Sequence, residues 1–226
     1  MKGADSFAAM VVQVEQQMAA FYGFSPQASA ADHLIDESQL SLALGAQTPP
    51  PGRAAVFVNS GADDELFIGV HFTAPLVEGL VEHDPTQLLG DHNLDGFCHL
   101  VEEISHFHLL LNRAAVGRSV SKLELEGQGE IDKLLFAAMF LEQQCGDLHL
   151  MPLARRLYDS AHIVAQDYDL YWQATRYAAR FWYALLQAPG EPRRIDGKLR
   201  QLLRLQYDRA WSAKLDALPS VRQHAA

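Results

Sequence analysis

With 49% apolar and 20% charged side chains over 226 residues, the chain can close a core over one good-sized domain or two small ones, and disorder is expected only at its ends. Its 28 acidic against 18 basic residues leave a formal charge of −10, which argues against nucleic acid as the main partner because phosphate neutralisation needs clustered Lys and Arg. Two cysteines, Cys98 and Cys145, form no C-x-x-C pair, which excludes a disulfide framework or Cys-rich zinc site and fits a reduced, cytoplasmic setting.

Asp5 to Tyr22 reads as a first helix, with Phe7, Met10, Val11, Val14, Met18, Ala19 and Phe21 in one stripe and Gly23 or Ser25 as its stop. Glu15 is the only carboxylate in its middle and is expected at the surface, since buried acids are rare. Asp5, Gln13 and Glu15 break the apolar core that a signal peptide would need, and no run of 18 apolar residues exists. Neither a secretory leader nor a membrane span is expected.

Residues 26 to 53 read as loop, with a weak strand signal at Leu40 to Leu44, and end in Pro49-Pro50-Pro51-Gly52, which no helix or central strand could contain. A sub-domain seam is expected at 46–53 within an otherwise single domain, 1–226. Ala54 to Asn59 and Leu66 to Phe72, β-branched and aromatic runs separated by six residues, predict an antiparallel hairpin. Pro75 opens a short helix to about Glu82, and Asp95 is expected to cap the next helix.

That helix, Phe97 to Ala114, is where chemistry-bearing residues fall into register. Phe97, Leu100, Val101, Ile104, Phe107 and Leu111 form its apolar face, with His108 on the same side; His99, Glu102, Glu103, His106 and Arg113 lie opposite. Six of the ten histidines fall between residues 71 and 108. A short connection leads to a second helix, Ser121 to Gln144, capped by Ser119 or Ser121 and expected to return antiparallel. There Glu126, Glu130, Lys133 and Ala137 share a face, so carboxylates are expected to look towards imidazoles. Gly127 and Gly129 either need close backbone approach or move the helix start downstream.

Met151 to Gln166 is read as a helix carrying Asp159 and His162 at i, i+3, and Tyr168 to Leu186 as a buried aromatic helix holding Tyr171, Trp172, Tyr177, Phe181, Trp182 and Tyr183. Residues 191–226 hold eight Lys and Arg against four acids. One amphipathic helix, Asp196 to Leu218, is expected to dock its basic side on the acidic body of the same chain, of a second copy, or of a protein partner.

The expected fold is mainly α (α+β): a helical bundle built around a central antiparallel helix hairpin, with a small antiparallel sheet after the first helix. Glu15, Glu103/His106, Glu130 and Asp159/His162, in that order, resemble the ligand set of carboxylate-bridged di-iron or di-manganese centres in helical bundles. The resemblance is one of ligand chemistry, because Asp replaces Glu in the last pair and a hairpin interrupts the order. A mononuclear site is more economical: His106, Glu103 and either His99 or Glu130, with Glu126, Asp159 and His162 as further candidates. Zinc there implies hydrolysis, iron or manganese redox chemistry. No zinc-peptidase, nucleophile-elbow, phosphate-loop or dinucleotide pattern is present, so no nucleotide cofactor is expected. The alternatives are a non-catalytic helical interaction or scaffold protein, whose Glu126 to Lys133 face is simply solvated, and a module binding a small ligand between the hairpin and the aromatic helix.

Overall fold

A computed structural model describes residues 2–44, 53–60, 66–146, 149–159, 168–187, 195–209 and 211–216. His162 and, apart from Arg53, the seam expected at 46–53 lie outside them. Among the described residues the protein is mainly α, with nine α-helices and one three-stranded sheet. It divides into two compact units, Met1–Val120 and Ser121–Ala226. Both long helices expected at its centre form: α4 (Leu94–Ala115) closes the first unit and α5 (Lys122–Cys145) opens the second.

In the first unit, α1 (Lys2–Tyr22) buries the whole predicted stripe, Val11, Val14, Met18 and Phe21 completely. Gly23 ends it at φ 78°, its N–H donating to Ala19 O. Within the stretch expected to be loop, residues 30–44 form regular elements instead. A 3-10 turn (Ala30–His33) leads into β1 (Leu34–Ile35) and α2 (Glu37–Leu44), so the strand expected at Leu40 to Leu44 is a helix. The reason is a capping box: Asp36 Oδ1 accepts from the N–H groups of Ser38 and Gln39, and Gln39 Oε1 accepts from Asp36 N.

The predicted hairpin forms as β2 (Ala54–Ser60) and β3 (Leu66–Phe72), antiparallel with Ala54 opposite Phe72 and Ser60 opposite Leu66. The sheet is nonetheless mixed, because β1 adds in parallel to the far side of β3 in the order β1-β3-β2. Gly69 makes room for it, since a Cβ there would stand 2.8 Å from Ile35 Cδ1. The Phe7 ring of α1 meets Phe72 of β3 edge-on at 5.1 Å. After α3 (Ala74–Glu82), α4 begins one residue before Asp95, with Asn93 as its N-cap. Asp95 instead pairs with Arg53. α4 ends in a Schellman motif: Gly117, at φ +66°, donates to Ala114 O, and Arg118 N donates to Arg113 O.

In the second unit, Ser121 caps α5 by accepting from Glu124 N, and the helix runs unbroken through the buried Gly127 and Gly129. It packs on α6 (Leu150–Asp159) and α7 (Tyr168–Leu186). Tyr158 donates to Glu130 O, and Trp182 Nε1 donates to Ile131 O. The aromatic helix buries Ala174, Tyr177, Ala178, Phe181 and Trp182, whereas Tyr171 and Trp172 are exposed, the latter beneath the Arg176 guanidinium. The expected single C-terminal helix is two, α8 (Gly197–Asp208) and α9 (Trp211–Asp216), because Arg209 turns extended at ψ 149°. Its docking face is Leu199, Leu203, Gln206, Tyr207 and Lys214, all buried. Among the described residues no helix is long and apolar enough to cross a membrane.

Candidate functional site: the polar face of α4

The side of α4 opposite its apolar stripe is not solvated. Glu102, Glu103 and His106 are each more than nine-tenths buried, and His99 is half-buried. Amphipathic patterning predicts water-facing charge at these positions, so three buried polar groups in two turns call for a physical account.

Their spacing gives one. Side chains at i, i+3 and i+4 stack along a helix, and here the Glu102 carboxylate stands between two imidazoles. Its Oε2 is 3.8 Å from His99 Nδ1, and one of its oxygens lies within 4.8 Å of a ring nitrogen of His106. Glu103 Oε2 faces His106 Nδ1 at 3.5 Å. Donors about 2.1 Å from a tetrahedral metal stand ~3.4 Å apart, so His99 and Glu102 nearly span an ion already, and Glu102 and His106 need a small closing rotation. Glu103, on the Nδ1 side of His106, occupies the place from which a carboxylate orients a ligating imidazole. Glu102 is the residue that the E-x-x-H pattern passes over; the spacing His99, Glu102, His106 was the signal for it.

Apart from Glu15, the remaining candidates lie in the second unit. Glu126 and Glu130 are half-buried on α5. Glu130 Oε1 accepts from Lys133 Nζ at 2.9 Å and from Thr175 Oγ1 at 3.2 Å, so that oxygen is committed. Asp159 Oδ1 accepts from the Tyr183 hydroxyl at 2.7 Å, and burial together with that bond pushes the phenol up to about 12. His162 is outside the described residues.

Glu15 is a correction. It is not at the surface but 3% exposed, with His108 Nε2 2.7 Å from its Oε1, Ser29 Oγ donating to its Oε2 at 2.6 Å and Ala30 N donating to its Oε1 at 3.0 Å. One carboxylate thus ties α1 to α4 and to the 3-10 turn. Ser29 gives its proton to Glu15 rather than to an imidazole, so this is no nucleophile dyad. Burial alone would raise the Glu15 carboxyl; the bonds from His108, Ser29 and Ala30 outweigh it and hold the group below the usual carboxylate range. A depressed pKa contributes stability that is fully present above the ordinary carboxyl value and is lost as pH falls through the folded one. Glu15→Gln should therefore lower stability at pH 7 by about 1–3 kcal/mol and flatten its decline below pH 4.5, read by denaturant titration from pH 7 to 3.

Against this geometry, comparison with protein-family models, with curated proteins and with solved structures finds no match.

Proposed function

We propose that the protein binds a divalent transition metal on the polar face of α4, with Glu102 as the central ligand, His99 and His106 flanking it, and Glu103 orienting His106. The observation that carries this reading is a buried carboxylate set between two imidazoles on one helix. Imidazole and carboxylate together suit zinc, iron and manganese. Three protein donors leave positions open for water, which zinc would bring towards a pKa of about 7 for hydrolysis, whereas iron or manganese would support redox chemistry. Among the described residues neither Cys98 nor Cys145 is in a disulfide, which fits a reduced, cytoplasmic compartment.

The test is metal analysis of tag-free protein reconstituted in turn with Zn²⁺, Fe²⁺ and Mn²⁺. Glu102→Gln and His106→Ala should each abolish binding at this site, and Glu103→Gln should weaken it by about 10- to 100-fold, the usual effect of losing an orienting partner. His108→Ala, which disturbs the Glu15 pair and not α4's polar face, should keep the metal. Stoichiometric metal on α4 surviving Glu102→Gln with His106→Ala would overturn the assignment. A second reading, a non-catalytic helical interaction protein, is favoured by Leu202 and Leu205, which α8 leaves 37% and 55% exposed. Protein that stays metal-free through all three reconstitutions leaves that reading standing.

A further inference from the structure

The turn before α4 holds a second pair of imidazoles that the α4 site does not use. His83 ends α3 and His92 sits in the loop that follows; both are exposed, and their rings meet edge-on with centroids 5.2 Å apart. Among the described residues neither ring's nitrogens bond to a protein group: the polar bonds of His83 are those of its backbone, to Gly79 O and from Asn93.

The loop that presents them is held from within. Asn93, 5% exposed, donates through Nδ2 to His83 O at 2.8 Å and to Leu88 O at 2.9 Å, and its Oδ1 accepts from Gly90 N. Asp84 Oδ1 accepts from Thr86 N and Oγ1. The backbone carrying both histidines is thus fixed by bonds that involve neither ring. Gly90 lies against His92, where a Cβ would stand 3.4 Å from the ring's Nδ1.

The ring separation has a chemical meaning. A nitrogen about 2.1 Å from a metal puts its ring centroid roughly 3.2 Å from the ion, and two such ligands at a tetrahedral angle have centroids roughly 5 Å apart. We propose that His83 and His92 form a surface chelate for a divalent transition-metal ion, separate from α4, on a loop whose hydrogen bonds hold the two imidazoles ready. Two protein donors leave the other positions to water or to the side chains of a second molecule.

Zn²⁺ alone is the probe, titrated calorimetrically into the full chain carrying Glu102→Gln and His106→Ala, so that the α4 reading and this one fail separately. One equivalent should bind in that background, and His83→Ala or His92→Ala should each weaken it at least tenfold with an unchanged far-UV spectrum, as both side chains are exposed. Asn93→Ala keeps both imidazoles but releases the loop, and should weaken binding as well. No binding in that background, or binding that His83→Ala and His92→Ala leave unaltered, overturns the proposal.

Discussion

Deleting residues 191–226 should unfold the second unit. The segment buries Leu199, Leu203 and Tyr207, and full burial of such side chains is worth about 1.5–3 kcal/mol each. Together they reach ~5–9 kcal/mol, comparable with the whole stability of an ordinary domain. Two buried polar contacts go with them: Gln206 to the Tyr177 hydroxyl, and Lys214 to Gln128. Burial raises the Tyr177 phenol, which then stays protonated and needs its partner. The truncated chain should aggregate on expression and show a lost or much lowered thermal transition, because the surface that buries Leu199, Leu203 and Tyr207 is laid open. A soluble truncated chain with its transition unchanged would make α8 and α9 an appendage, their charge then available to a partner.

The elements that sequence periodicity located are those whose own face is the core. α1 and α7 run in the predicted stripes because Val11, Val14 and Met18, or Tyr177, Phe181 and Trp182, recur at helical spacing. What the periodicity missed is set by partners far away in the chain. Glu15 lies in the apolar stripe, four residues after Val11 and three before Met18, so its burial was readable; that His108 and Ser29 would satisfy it was not, as they are 93 and 14 residues distant. α2 announced itself only through Asp36 and Gln39, a capping box too short to outweigh the surrounding loop composition. The break at Arg209 has neither Gly nor Pro to mark it. On α4 the two faces were legible from spacing alone, and the spacing His99, Glu102, His106 already marked Glu102; how closely the three side chains approach depends on their direction, which spacing does not encode.

Lys214→Met should cost the second unit about 3–5 kcal/mol, although methionine fills nearly the same space. Lys214 and Asp132 are both 0% exposed and Gln128 is 1% exposed, and the three are joined in a row: Lys214 Nζ donates to Gln128 Oε1 at 2.9 Å, and Gln128 Nε2 donates to Asp132 Oδ1 at 3.0 Å. The ammonium also stands 6.0 Å from the centre of the Tyr207 ring, within reach of its negative face. Removing the ammonium takes the donor from the buried Gln128 Oε1 and a positive charge from a fully buried row that ends on a carboxylate, and the cost of leaving those groups desolvated outweighs the lost bond itself. The triple change Lys214→Met, Gln128→Leu and Asp132→Leu removes these three polar groups together and should recover part of the loss, since replacing joined buried polar groups by apolar ones of similar volume costs less than removing one member alone. Denaturant midpoints of the single and triple variants decide it. A triple variant as unstable as Lys214→Met would mean that packing around α9, rather than buried charge, makes Lys214 indispensable.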